Sequence, residues 1–167
     1  MKIHVLDLEF SNDHYYIQNK SIVEKVTFNN RTFYSKFEKV TTALTPILLR
    51  QHQQNETTLA IPLVEKNDLV NYLVIEYHQE DWSSFFSLLK HLLKSLEINE
   101  FMAYRNIKKE LLQLFIPREH IALEQAYKEV ENIKHHLELK SKKSYKIYPN
   151  INLPKNYNII TLPIEKL

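Results

Sequence analysis

The sequence predicts an α+β protein, and three stretches carry that prediction. The run Leu69–Tyr77 (LVNYLVIEY) is β-branched and aromatic, short, and apolar on both faces near its middle, as a central strand is. Next, Trp82, Phe85, Phe86, Leu89, Leu92, Leu93 and Leu96 recur at spacings of three and four, the pattern of an amphipathic helix. A second helical face, Ala122, Ala126, Val130, Ile133 and Leu137, follows two short strand candidates.

The elements follow in order. Asp81 stands where a helix cap is expected before Trp82. Glu100–Tyr104 and Glu110–Ile116 read as strands separated by the polar stretch Arg105 to Lys109. Pro117 marks a helix start, and lysines close that helix favourably for its dipole. Strands at Tyr145–Tyr148 and Tyr157–Leu162, each bounded by proline, finish the chain. Residues 69–148 therefore read β-α-β-β-α-β, the ferredoxin-like order that RNA-recognition modules also use, with helices on one sheet face and the other open to ligands. Residues 1–66 read as a less regular α/β unit: a strand at Lys2–Leu8, a helix over 32–51 disturbed at Pro46, a loop at Gln51–Asn55 and a strand at Thr57–Val64. The expected organisation is one domain over 1–167, made of an N-terminal α/β unit (1–66) and an RRM-like unit with a C-terminal strand (67–167).

Composition narrows the chemistry. The 167 residues are 44% hydrophobic and 25% charged, an ordinary globular balance. Average usage would give about 12 glycines, and there are none. Phosphate loops of the Walker or Rossmann kind need glycine for positive φ and close backbone approach, so both are excluded. Cysteine is absent, which excludes disulfides, thiolate metal sites and cysteine nucleophiles. The net charge is +2, too small to indicate nucleic-acid binding by itself. Lys140, Lys142, Lys143 and Lys146 are clustered, as either a solvated helix end or a phosphate contact. No leader-like or membrane-spanning segment is evident, so a cytoplasmic protein is expected. Ser83, Ser84 and Ser87 with His91 lack an oxyanion hole or nucleophile elbow.

Four stretches share an order with a known family. They are Thr57–Trp82 (TTLAIPLVEKNDLVNYLVIEYHQEDW), Tyr104–Glu110 (YRNIKKE), Ile147–Asn156 (IYPNINLPKN) and Asn158–Pro163 (NIITLP). In that order they resemble the catalytic module of the archaeo-eukaryotic primase superfamily, in its bacterial and plasmid primase-polymerase branch. The resemblance implies a primase-like fold, with metal-binding acids one residue apart at a strand end and a following segment that contacts a nucleotide triphosphate. The acidic pair falls here on Glu76 and His78, degenerate former metal positions. The nucleotide segment falls on Arg105, Asn106, Lys108 and Lys109, without the family's serine, glycine and histidine.

Primer synthesis needs divalent ions held by hard oxygen ligands. With His78 in place of an acid and no residue matching the family's third acid, the resemblance implies a noncatalytic subunit, similar in kind to the third subunit of some archaeal primases. Such a subunit would assist primer synthesis in DNA replication through nucleotide or single-stranded DNA contacts. Its expected partners are a catalytic primase subunit or a replicative polymerase or helicase, with no membrane and no cofactor. Two alternatives stand: a residual nucleotidyltransferase using Mg or Mn at Glu76 and His78, and a pure protein-interaction module using an exposed sheet face. Read without the resemblance, Glu76 and His78 are structural, with a metal site as the alternative. Arg105 to Lys109 then read equally as a wet turn or as a phosphate contact.

Overall fold

Without glycine, the left-handed backbone positions of this chain fall to other residues. In the computed structural model, which describes residues 1–167, nine residues have positive φ. Four of them are asparagines, Asn29, Asn30, Asn55 and Asn67, whose short polar side chain tolerates this region. The fold is α+β, with three α-helices and antiparallel strand pairing. The chain divides into two units, residues 1–67 with 151–164 and residues 68–150 with 165–167.

The first unit begins with the hairpin β1 (Lys2–Val5) and β2 (Leu8–Ser11), which buries Ile3, Val5, Leu8 and Phe10 by strict alternation. The strand expected over Lys2–Leu8 is thus broken by a turn, with Leu6 at φ 55. β3 (Tyr15–Gln18) follows, then a second hairpin of β4 (Glu24–Phe28) and β5 (Arg31–Ser35). Asn29 and Asn30 both take positive φ at its tip, the geometry a two-residue hairpin turn requires. β6 (Phe37–Val40) pairs with β3.

The helix expected over 32–51 is corrected here. Residues 31–35 and 37–40 are strands, and α1 spans Pro46–Gln53. Pro46 does not disturb a helix but starts one, because its missing N–H falls where no helical partner exists. Thr45 caps it, accepting a hydrogen bond from the Leu48 N–H at 3.2 Å. The loop expected from Gln51 begins only after Gln53. β7 (Leu59–Pro62), buried throughout, pairs with β3, and β8 (Val64–Glu65) ends this stretch.

The second unit opens with β9 (Leu69–Tyr77), followed by α2 (Trp82–Ser95), β10 (Met102–Asn106), β11 (Leu111–Ala122), α3 (Leu123–Lys140) and β12 (Lys146–Tyr148). This is the β-α-β-β-α-β succession read from the sequence, and the strands lie in the order β12-β9-β11-β10. Pro117 starts no helix. It lies within β11, paired with Tyr72, at the start of a register shift between Pro117 and Ile121, the kind of irregularity where a strand tolerates proline.

The C-terminal strand β13 (Ile159–Thr161) corrects the expected division at residue 67, because it pairs with β7 in the first unit. The last strand, β14 (Glu165–Lys166), adds to the edge strand β10.

α2 and α3 bury their apolar stripes: Phe85, Leu89, Leu92 and Leu93 on one, Leu123, Ala126, Val130, Ile133 and Leu137 on the other. Phe85 stacks on Tyr77 of β9 at 4.2 Å between ring centroids, with Tyr145 beyond it at 6.0 Å. The opposite sheet face, expected to be open, carries Val74, Tyr104, Gln113 and Phe115, all buried.

Candidate functional site

The polar residues of the second unit gather at the end of β9. Glu76 is aligned with Gln113 of β11 on one side and with Lys146 of β12 on the other, so the three side chains form a row on one face. Gln113 donates from Nε2 to Glu76 Oε2 at 2.8 Å, and both residues are buried. Burial holds the Glu76 carboxyl above its ordinary pKa, against the opposing pull of the Gln113 bond and the Lys146 charge. Tyr148 on β12 is also raised, by burial first and then by the Glu76 charge.

His78 lies just beyond the strand and is exposed. Partial burial and then the Lys146 charge lower its pKa, while a hydrogen bond to the Lys109 main chain opposes them. The register of β11 with β9 and β10, Leu112 with Tyr77 and Leu111 with Asn106, sets the β10–β11 turn at the same end of the sheet as the end of β9. A recess of about 250 Å³ opens here, lined by Glu76, His78, Gln79, Ser144, Tyr145 and Lys146.

A second recess, of about 620 Å³, includes Tyr77, Asp81, Glu110 and Lys143 in its lining. Asp81 does not cap α2 with its side chain. Its carboxylate instead takes the Tyr77 hydroxyl, which donates to Oδ1 at 2.5 Å, and the Lys143 ammonium on Oδ2. These bonds, Lys143 first, lower its pKa. Burial and then the Asp81 contact push the Tyr77 hydroxyl up to about 12.

The four residues of the expected nucleotide segment are not one cluster. The turn is shorter than the polar stretch, leaving Arg105 and Asn106 buried in β10 on opposite faces. The Asn106 side-chain oxygen accepts from the Lys109 N–H at 3.3 Å and shapes the turn. Lys108 and Lys109 are exposed on it, and burial of part of the Lys109 side chain lowers that group's pKa. Arg105 turns to the helix side, its guanidinium carbon 4.7 Å from the Trp82 ring centroid.

Glu76 and His78 have no third acid or histidine gathered with them into a metal-holding group. Glu76 Oε2 is already engaged by the Gln113 amide and the residue is buried, which favours a structural, hydrogen-bonded carboxyl there over a metal ligand. Sequence reading missed Gln113, although a lone polar residue inside the apolar run LLQLFI is the signature of a buried, partnered side chain.

Residues 1–72 match the family described as a domain of unknown function, DUF1882. The match covers the first unit up to Asn67 and the opening residues of β9. No curated protein matches the chain. No helix is long and apolar enough to cross a membrane.

Proposed function

We propose that this chain is a noncatalytic, primase-like accessory subunit that contacts nucleotides or single-stranded DNA during primer synthesis, in the cytoplasm and alongside a catalytic primase subunit, polymerase or helicase. The observation that carries the reading is the strand register: Tyr77 is aligned with Leu112 and Asn106 with Leu111, so the end of β9 and the β10–β11 turn lie at the same end of the sheet. It brings the segment resembling the family's nucleotide contact against the segment resembling its metal site, two regions separated in sequence by all of α2 and β10. Lys146 supplies positive charge to a recess of about 250 Å³, and Lys108 and Lys109 are exposed on the turn at the same end of the sheet.

The noncatalytic part of the reading is supported by Glu76. A carboxyl that is buried, bonded to Gln113 and without further acids or histidines gathered beside it is poorly suited to clamp a divalent ion.

The test is fluorescence anisotropy with a labelled single-stranded DNA 20-mer, competed by nucleoside triphosphate. Replacing Lys108, Lys109 and Lys146 by alanine is expected to weaken binding about tenfold and to reduce the salt slope by about two, at roughly 0.7 for each phosphate no longer neutralised. Equal affinity and slope in the triple variant would overturn the assignment.

A further inference from the structure

We propose that Arg105 and the first turn of α2 together form a binding site for an oxyanion, a phosphate or carboxylate group, on the helix side of the sheet. Arg105 is only 9% exposed, and its Nη1 has no hydrogen-bond partner. Buried guanidinium donors are normally satisfied, so an unbonded one marks a place for an acceptor. Glu110 acts on Arg105 through space without an ion pair.

The second half of the site is the helix itself. The first N–H groups of a helix have no intrahelical partner and carry the positive end of its dipole. No side chain caps α2, because Asp81 is held instead by Tyr77 and Lys143. Lys143 also balances the Asp81 charge, which would otherwise repel an anion. Ser83 and Ser84, exposed in this turn, add hydroxyl donors.

Arg105 is brought to this turn by Trp82, the first residue of α2. Helix side chains lean towards the N-terminus, so a guanidinium lying on the Trp82 ring lies beside the open end of the helix. A planar fork next to free main-chain N–H groups suits the oxygens of phosphate or carboxylate. The site lies on the face opposite Glu76 and Gln113, and it stands whether or not the recess beside Lys146 binds nucleotide.

Trp82 is the sole tryptophan and lies against Arg105, so its fluorescence reports directly on the site. The full chain is titrated with inorganic phosphate and, separately, with acetate, at constant ionic strength balanced by sodium chloride. A saturable change in Trp82 emission is expected, with shifts of the Ser83, Ser84 and Phe85 amide signals in ¹H–¹⁵N spectra. Saturation by phosphate alone assigns a phosphoryl group, and saturation by acetate assigns a carboxylate; either supports the site. Arg105→Gln is expected to lower the affinity at least tenfold while leaving the far-UV circular dichroism unchanged. Should that variant fail to fold, the amide shifts of the wild-type chain decide alone. No saturable change, or shifts confined to residues away from the first turn of α2, would overturn the proposal.

Discussion

The two units solve the same burial problem with different materials. The unit of residues 68–150 and 165–167 rests on long elements, with a strand of 12 residues and helices of 14 and 18. The unit of residues 1–67 and 151–164 has strands of two to five residues and one helix of eight. Long elements bury apolar area through their own periodicity. Short ones depend on side chains that tie one segment's backbone to another's. In the first unit, Glu65 Oε2 accepts from the Ser11 N–H at 2.9 Å, and Asn12 donates to the Pro62 carbonyl at 3.2 Å. His52 bonds both the Leu162 carbonyl, at 2.7 Å, and the Leu59 N–H, at 3.0 Å.

This contrast is open to direct attack. Phe85→Ala removes a ring stacked between Tyr77 and Tyr145 in the long-element unit and is expected to cost about 4 kcal/mol in urea denaturation. His52→Ala tests the short-element unit, leaving a buried N–H and a buried carbonyl without their partner. A loss of about 3 kcal/mol is expected from the same measurement, and a loss below about 1 kcal/mol would show that the clamp is dispensable.

Glu76 offers a comparison across pH. Its folded-state pKa lies above the ordinary 4.5, so the folded chain holds this proton more tightly than the unfolded one. The resulting penalty is absent below the ordinary value, grows as pH rises between the two values, and is complete above the folded-state one. Glu76→Gln is therefore expected to gain stability relative to wild type as pH rises from about 4 to about 8. Thermal melts of the two proteins that stay parallel across this range would contradict it.

The helix starts differ more gently. Thr45→Ala removes the cap of α1 and is expected to cost about 1 kcal/mol, whereas at α2 no side-chain cap exists to lose. The smallest effect is expected from Arg118→Ala. Its Nε donates to both Glu129 oxygens at 3.2 Å, but the pair is partly exposed and is worth about 1 kcal/mol or less.

The same contrast explains what was legible. The second unit could be read because Leu69–Tyr77 and the stripes on α2 and α3 each repeat their signal several times over. In the first unit, Arg31–Ser35 and Phe37–Val40 give one or two alternations apiece, too few to separate a strand from a helix. Of the candidate site, the positions of Glu76 and His78 at a strand end were legible. The roles of Gln113, Lys146 and Asp81 were not, because each depends on a partner on another element.

The amino-acid sequence by itself determined the long periodic elements, their β-α-β-β-α-β succession and the exclusion of glycine loops and cysteine chemistry. These follow from local spacing and composition, which need no knowledge of neighbours. Tertiary structure alone decided that β13 joins β7, that Asp81 serves Tyr77 and Lys143 instead of capping α2, and that Arg105 is buried against Trp82 with one donor unbonded. Each of those outcomes turns on which distant group lies within hydrogen-bond or packing distance, and no local pattern encodes that.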